Sequence, residues 1–193
     1  MAKNRSTTTP RMLRSIVGIF GCLLGSVMLG GCTPAPPATP TPTSTAIFAS
    51  EDEALAAATD VFTAYLAAYD SAMADGGRDL ATVREYVSDD YFAEVSEPGT
   101  IVTNGWHTSG VSTFEVKEVP HFDASNNSAN IHLNICRDIT GIRVLDMNDH
   151  DVTPPDREMR VPLAVSFAVA TDDEWNGALR IVDVESWLDA DAC

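Results

Sequence analysis

Basic residues are scarce in this chain, which has 12 Lys and Arg against 28 Asp and Glu in 193 residues. Four of the 12 lie within the first 14 positions, where there is no acid. Removal of residues 1–31 would therefore leave eight basic residues against 28 acids, a side-chain net charge of about −20. So acidic a surface argues against nucleic acid as a partner and against electrostatic adhesion to anionic lipids or polymers. Solubility or a salt-tolerant habitat explains the charge more simply.

Recognisable catalytic motifs are also missing. The chain has no nucleophile elbow, phosphate loop, HExxH or nucleotide fingerprint, and it has no internal repeat. The apolar run at 15–29 is shorter than the about 20 residues that span a bilayer, so a retained transmembrane helix is the weaker interpretation. A basic segment, a short apolar run and small residues at the end of that run are typical of a secretory signal peptide.

The end of this run carries a more specific motif. Leu29-Gly30-Gly31-Cys32 resembles the lipobox of bacterial lipoproteins, whereas Cys22 lies inside the apolar run and is the poorer cleavage site. The resemblance implies cleavage before Cys32 and a diacylglycerol on its thiol, with acyl chains such as palmitate. The alternative is ordinary secretory cleavage that leaves Cys32 as a free thiol. We expect an exported lipoprotein, anchored by its lipid to the outer face of the bacterial cell membrane, with no other cofactor.

The residues after Cys32 predict a spacer. The stretch "TPAPPATPTPTSTA" has five prolines and no large apolar residue, so it cannot bury a core and favours extended conformations. We therefore divide the chain into a lipoprotein signal peptide (1–31), a lipidated cysteine with a Pro/Thr-rich linker (32–46) and one domain (47–193).

Two cysteines remain in the predicted domain. Cys136 and Cys193 form an even pair, which in an oxidising compartment is normally a disulfide, here closing a loop of 57 residues. A zinc site is disfavoured because the two cysteines lack the close paired spacing that zinc sites use.

Hydrophobic periodicity predicts an α+β fold. Ser50 and Glu53 form a capping box before a helix that Gly76-Gly77 ends, and a shorter helix follows Ser88. After residue 100 the apolar residues alternate with polar ones, which predicts antiparallel strands. Helices followed by strands indicate helices that cover one face of a curved, cone-like antiparallel sheet. The predicted inward positions of the two clearest strands are Ile131, Leu133, Ile135, Val161, Leu163, Val165 and Phe167.

This order of elements resembles the nuclear-transport-factor-like, or ketosteroid-isomerase-like, cone fold. More narrowly, Cys136-Arg137-Asp138, "VLDMNDHDVTPPDR", "VPLAVSF", Trp187 and the last cysteine resemble lipoproteins of unknown function from actinobacteria. Relatives with the cone fold bind small apolar ligands, so the resemblance implies a pocket but no particular activity.

Five residues are candidates for lining such a pocket. Tyr65, Tyr69 and Tyr91 could lie at the mouth of the cone, although tyrosines at helical spacing are more often core residues. In "GWHTSG", Trp106 and His107 could form the rim, with His107 as a general base. The alternative is a loop in which Trp106 packs over the edge of the sheet.

The acidic stretch "DMNDHD" invites a calcium hypothesis, which its spacing contradicts. Counted from Asp146, the sixth position is Asp151 rather than glycine, and the twelfth is Arg157 rather than glutamate. A turn between two strands, with His150 exposed, is the better interpretation. We predict no metal site.

Two classes of function remain. The apolar inward phase of the strands, with His132 on the opposite phase and the acids on the solvent side, favours a module that binds a small apolar ligand or a protein partner without catalysis. The alternative is a small cone-fold enzyme, of isomerase or dehydratase type, acting on an exported small molecule. It would need a carboxylate or a histidine in a deep apolar pocket.

Overall fold

A computed structural model of the chain describes residues 47–125, 128–169, 177–187 and 193. The predicted signal peptide, Cys32 and the linker lie outside these residues. Within the described ranges, no helix is both long and apolar enough to span a membrane. The elements are, in chain order, α1 (Glu51–Ala74), a 3₁₀ helix (Leu80–Tyr86), α2 (Asp89–Val95), α3 (Thr100–Thr103), β1 (His107–Ser109), β2 (Thr113–Ser125), β3 (Ser128–Asp138), β4 (Arg143–Leu145), β5 (Arg160–Val169) and β6 (Leu179–Ser186).

The structure confirms the predicted α+β class. Four antiparallel strands form a curved sheet in the order β2-β3-β5-β6, and the helices pack against it. β1 and β4 pair separately as a two-stranded antiparallel sheet. The stretch "GWHTSG" therefore contains a short strand rather than the predicted loop, because β4, more than 30 residues further along the chain, supplies its partner.

Both ends of α1 follow from the sequence. The Ser50 side chain accepts a hydrogen bond from the Glu53 amide at 3.2 Å, as in a capping box. The Glu53 carboxylate instead accepts from the amide of Ala49, at 2.7 Å. At the other end, Gly76 and Gly77 have φ angles of +70° and +74°, and their amides bond the carbonyls of Met73 and Ala72. This is a Schellman motif, which glycine favours because the left-handed conformation is strained for other residues.

The core lies between α1 and the inner face of the sheet. Phe62 on α1 packs edge-to-face on Phe114 of β2, with ring centroids 4.9 Å apart. The predicted inward phase of β3 is confirmed, since Ile131, Leu133 and Ile135 are all at most 1% exposed. On β5, Val165 and Phe167 are buried, whereas Val161 and Leu163 are half-buried towards the end of the sheet. Each fully buried side chain of this size contributes about 1.5–3 kcal/mol to stability.

Strand β2 contains two irregularities that no local pattern predicts. Its register against β3 shifts between Val116 and Glu118 and again between Glu118 and His121, so the strand has two extra residues relative to β3. Pro120, which cannot donate a ladder hydrogen bond, lies in the second shift. The two shifts together move the pairing by two residues, so the inward phase is regained and Phe122 packs against the core.

The other edge strand, β6, is covered by the segment between the 3₁₀ helix and α2. The Ser88 amide donates to the Ile181 carbonyl at 2.9 Å, and Val87 forms a parallel bridge with Ile181. The Ser88 hydroxyl also caps α2 as predicted, accepting from the amide of Tyr91 at 3.2 Å. The stretch before it is a 3₁₀ helix, with Val83 fully buried.

Candidate functional site

Asp70 is a buried acid on the core face of α1. It follows Leu66 by one turn and precedes Met73, and only 5% of its surface is exposed. The expectation that the acids lie on the solvent side is therefore wrong at this position. An acid that interrupts an apolar helical stripe is the sequence signal that could have identified it, because a buried carboxylate requires partners.

Two partners from distant elements bind this carboxylate. The amide and the hydroxyl of Ser112 donate to one Asp70 oxygen at 2.6 and 2.8 Å. Arg137 Nη2 donates to the other oxygen at 3.0 Å. The same guanidinium also donates to the Ser112 hydroxyl, from Nε at 3.2 Å and from Nη2 at 3.1 Å. A closed polar network thus joins α1, the start of β2 and the end of β3.

An aromatic contact also orients Arg137. Its guanidinium carbon lies 5.6 Å from the ring centroid of Tyr69, one residue before Asp70 on α1. This is within the range of a cation–π interaction. The side chain of Arg137 is 21% exposed, against 6% for Asp70, so the ion pair is buried at the acid and reaches solvent at the base.

A groove of about 270 Å³ lies beside this network, between α1 and the start of β2. Its polar lining includes Asp70 and Ser112. Its apolar walls come from Leu66, Ala67, Val111 and Phe114. Val111 precedes β2 and is 69% exposed as one wall of the groove. An apolar cleft with a few placed polar groups is the usual form of a small-molecule site.

The three candidate tyrosines lie together but mostly in the core. Tyr65 and Tyr91 are 6% and 8% exposed, and their hydroxyls interact with each other. Burial raises the pKa of both phenols, so both stay protonated at neutral pH. Tyr69, with its ring 5.9 Å from that of Tyr65, also lines a separate cavity of about 220 Å³ next to α3.

Trp106 and His107 lie at a different place. They line an open depression of about 420 Å³ together with Asp75 and Arg78, just beyond the end of α1. Asp75 and Arg78 form an exposed ion pair, and the hydrogen bond from Arg78 lowers the pKa of Asp75. His107 Nε2 is 3.2 Å from a carboxylate oxygen of Asp149. The five residues predicted as one pocket are thus divided among the core, the cavity next to α3 and this depression.

Other ionisable side chains lie at the surface. His132 and Asp123 are exposed on the outer face of the sheet. Asp146 accepts hydrogen bonds from the amides of Asn148 and His150, which lower its pKa and tie its carboxylate to its own turn. In the described part of the chain, no group of three or more His, Cys, Asp or Glu side chains could hold a metal ion.

The predicted cysteine pair is brought together at the end of β3. The Cα atoms of Cys136 and Cys193 are 5.6 Å apart and the two sulfurs are bonded, while Cys136 is fully buried. Cys136 immediately precedes Arg137, so the bond attaches the last residue of the chain beside the polar network.

Comparison with known proteins gives similarities of fold. No family model and no curated protein matches the chain. It is similar to the solved structure of an NTF2-like superfamily protein from Salmonella enterica serovar Typhimurium LT2, with 14% identity, a TM-score of 0.39, and coverage of 68% of this chain and 89% of that one. It is also similar to a cyanobacterial iota-carbonic anhydrase complexed with bicarbonate, with 15% identity, a TM-score of 0.37, and coverage of 72% and 92%.

Proposed function

We propose that the protein is a lipid-anchored, extracytoplasmic binding module whose ligand site is the groove between α1 and β2. The observation that carries this proposal is the buried Asp70–Ser112–Arg137 network beside the apolar walls of the groove. Such an arrangement offers apolar area for affinity and fixed polar groups for orientation.

The size and charge of the groove define the class of ligand. Its volume of about 270 Å³ lies at the lower end of the range for ligand sites, so the ligand is small. The charges of Asp70 and Arg137 neutralise each other, and the chain as a whole is strongly acidic. We therefore assign a small, mainly apolar and uncharged molecule with a hydroxyl or amide at one end, which could donate to the remaining lone pair of the Asp70 carboxylate.

The positions of the ionisable groups favour binding over the enzyme alternative. His132 and Asp123 face solvent on the outer sheet face, and His107 lines an open depression. Both oxygens of Asp70 already accept hydrogen bonds from the protein. A general base must be an ionisable group that is free to take a proton from a substrate. Asp70 is not free in this sense, because its carboxylate is bonded to Ser112 and Arg137.

The groove can be tested with the neutral fluorescent probe N-phenyl-1-naphthylamine. Ala67→Trp should fill the groove while leaving the residues of the polar network unchanged, and we expect it to weaken probe binding at least tenfold. Ala56→Trp, at an exposed position of the same helix, is the matched control and should leave the affinity unchanged. Equal affinities of the two variants in a fluorescence titration would contradict the proposed site.

The anchor is tested separately. Cys32→Ser should move the protein from the membrane fraction to the soluble fraction, or leave it unprocessed, because the thiol that carries the diacylglycerol is absent. Two acyl chains, at about 0.8 kcal/mol per buried CH₂, hold a protein durably, whereas one holds it marginally. Cys22→Ser is the control and should stay with membranes. A correctly cleaved Cys32→Ser protein that still sediments with membranes would exclude lipidation at Cys32.

A further inference from the structure

Two of the four histidines of the chain face each other on the outer side of the sheet. His121 on β2 is the direct register partner of His132 on β3, and His132 is in turn the partner of Ser166 on β5. Both histidines are exposed. The pair lies on the face opposite to the core, and neither residue lines the groove.

The ring geometry fits two imidazoles that share one metal ion. The centroids are 5.3 Å apart and the ring planes are inclined by 74°. Consider a metal ion about 2.0–2.1 Å from one nitrogen of each ring, with a nitrogen–metal–nitrogen angle of about 90–109°. The centroids of the two rings then lie roughly 4.5–5.2 Å apart. The observed separation lies just beyond the tetrahedral end of this range.

Ser166 orients one of the two rings. Its hydroxyl lies 3.2 Å from His132 Nδ1, so this nitrogen is engaged and Nε2 is left for a metal. Histidines that bind metals usually have such a partner on the second nitrogen, because it fixes the tautomer and the ring orientation.

The pairing of the two histidines depends on the irregularities of β2. At the start of the strand, Phe114 pairs with Arg137, and continuing that register would set His121 opposite Asn130. The two register shifts move the pairing by two residues and bring His121 opposite His132 instead. Bulges commonly re-aim a side chain in this way.

We infer that His121 and His132 form a binding site for a divalent transition-metal ion. Neutral imidazole nitrogens bind Zn²⁺, Cu²⁺ and Ni²⁺ well. Ca²⁺ and Mg²⁺ instead prefer oxygen ligands such as carboxylates, which this pair does not supply. No third protein ligand is grouped with the pair among the described residues, so water completes the coordination. The acidic surface of the chain raises the local concentration of cations.

Zinc titration of the full chain in detergent, carrying no histidine tag, tests the site. We expect one Zn²⁺ to bind per chain with a dissociation constant below 1 mM, and His121→Gln and His132→Gln each to weaken binding at least tenfold. His150→Gln is the matched control, because His150 is an exposed histidine next to the carboxylate of Asp146, 3.3 Å away. It should leave the affinity within twofold of the wild type.

A second measurement identifies the ligands directly. With Cu²⁺ as the probe, electron paramagnetic resonance should show two bound imidazole nitrogens in the wild type and fewer in either variant of the pair. Both variants replace exposed side chains, so their melting temperatures without metal should match the wild type. Zinc binding that survives both substitutions, or that is lost equally in His150→Gln, would overturn the inference.

Discussion

Cys193→Ser is expected to lower the free energy of unfolding of the protein by about 4 kcal/mol. The bond from Cys136 to Cys193 closes a loop of 57 residues. Without the bond the unfolded chain gains conformational entropy, which stabilises the unfolded state by about 4 kcal/mol. For a domain of this size the melting temperature should fall by roughly 8–16 °C. Cys193 is the better position to change because it is exposed, whereas Cys136 is fully buried and a serine there would add a buried hydroxyl.

Reductant supplies the control for this prediction. It should lower the melting temperature of the wild type to that of Cys193→Ser and leave the variant unchanged. Intact-mass measurement should show two hydrogens gained by the wild-type domain on reduction. A wild type that melts at the same temperature with and without reductant, or whose two cysteines label as free thiols, would exclude the bond.

Asp70→Ala should lower the free energy of unfolding by about 3 kcal/mol. The substitution leaves the partly buried guanidinium of Arg137 without its carboxylate, and removing one partner of a buried pair costs about 3–5 kcal/mol. The lower end of that range applies because Arg137 reaches solvent at one side. Urea unfolding gives the measurement, and Asp60→Ala, exposed on the same helix, should change stability by less than about 0.5 kcal/mol.

The double substitution Asp70→Leu with Arg137→Met separates charge from packing. Replacing both partners by apolar residues removes the uncompensated charge, so it should destabilise less than Asp70→Ala alone. If Asp70→Ala is as harmless as Asp60→Ala, the network does not hold α1 to the sheet, and the polar side of the proposed groove is not a fixed structure.

The regular parts of the fold are predictable from the sequence because they rest on local patterns. Ser50 and Ser88 begin helices at the expected positions, and the alternation of Ile131, Leu133 and Ile135 places the inner face of β3. Each depends on neighbours within a few residues. The strand β1 is different, because its partner β4 is remote in the chain and a three-residue strand has no periodicity of its own.

The site could be predicted less well than the fold, because its contacts join residues that are far apart in the chain. The sequence favours an exposed Asp70 because most carboxylates in a soluble chain lie in solvent, whereas its burial depends on Arg137, 67 residues away. Residue type and helical spacing do not distinguish a core phenol from a pocket phenol, so they do not predict the burial of Tyr65 and Tyr91. The opposition of His121 and His132 depends on two bulges, which alternation alone does not reveal.

The irregular strand β2 has a consequence for how copies of this protein meet. An edge strand with free amides and carbonyls is a template onto which a second chain can add a strand. Here one edge is interrupted by Pro120 and two register shifts and carries Glu115, Lys117 and Glu118, while the other is occupied by Val87 and Ser88. If copies are anchored side by side in a membrane, as we propose, these features disfavour the addition of a neighbour's strand at the β2 edge and next to Ile181 on β6.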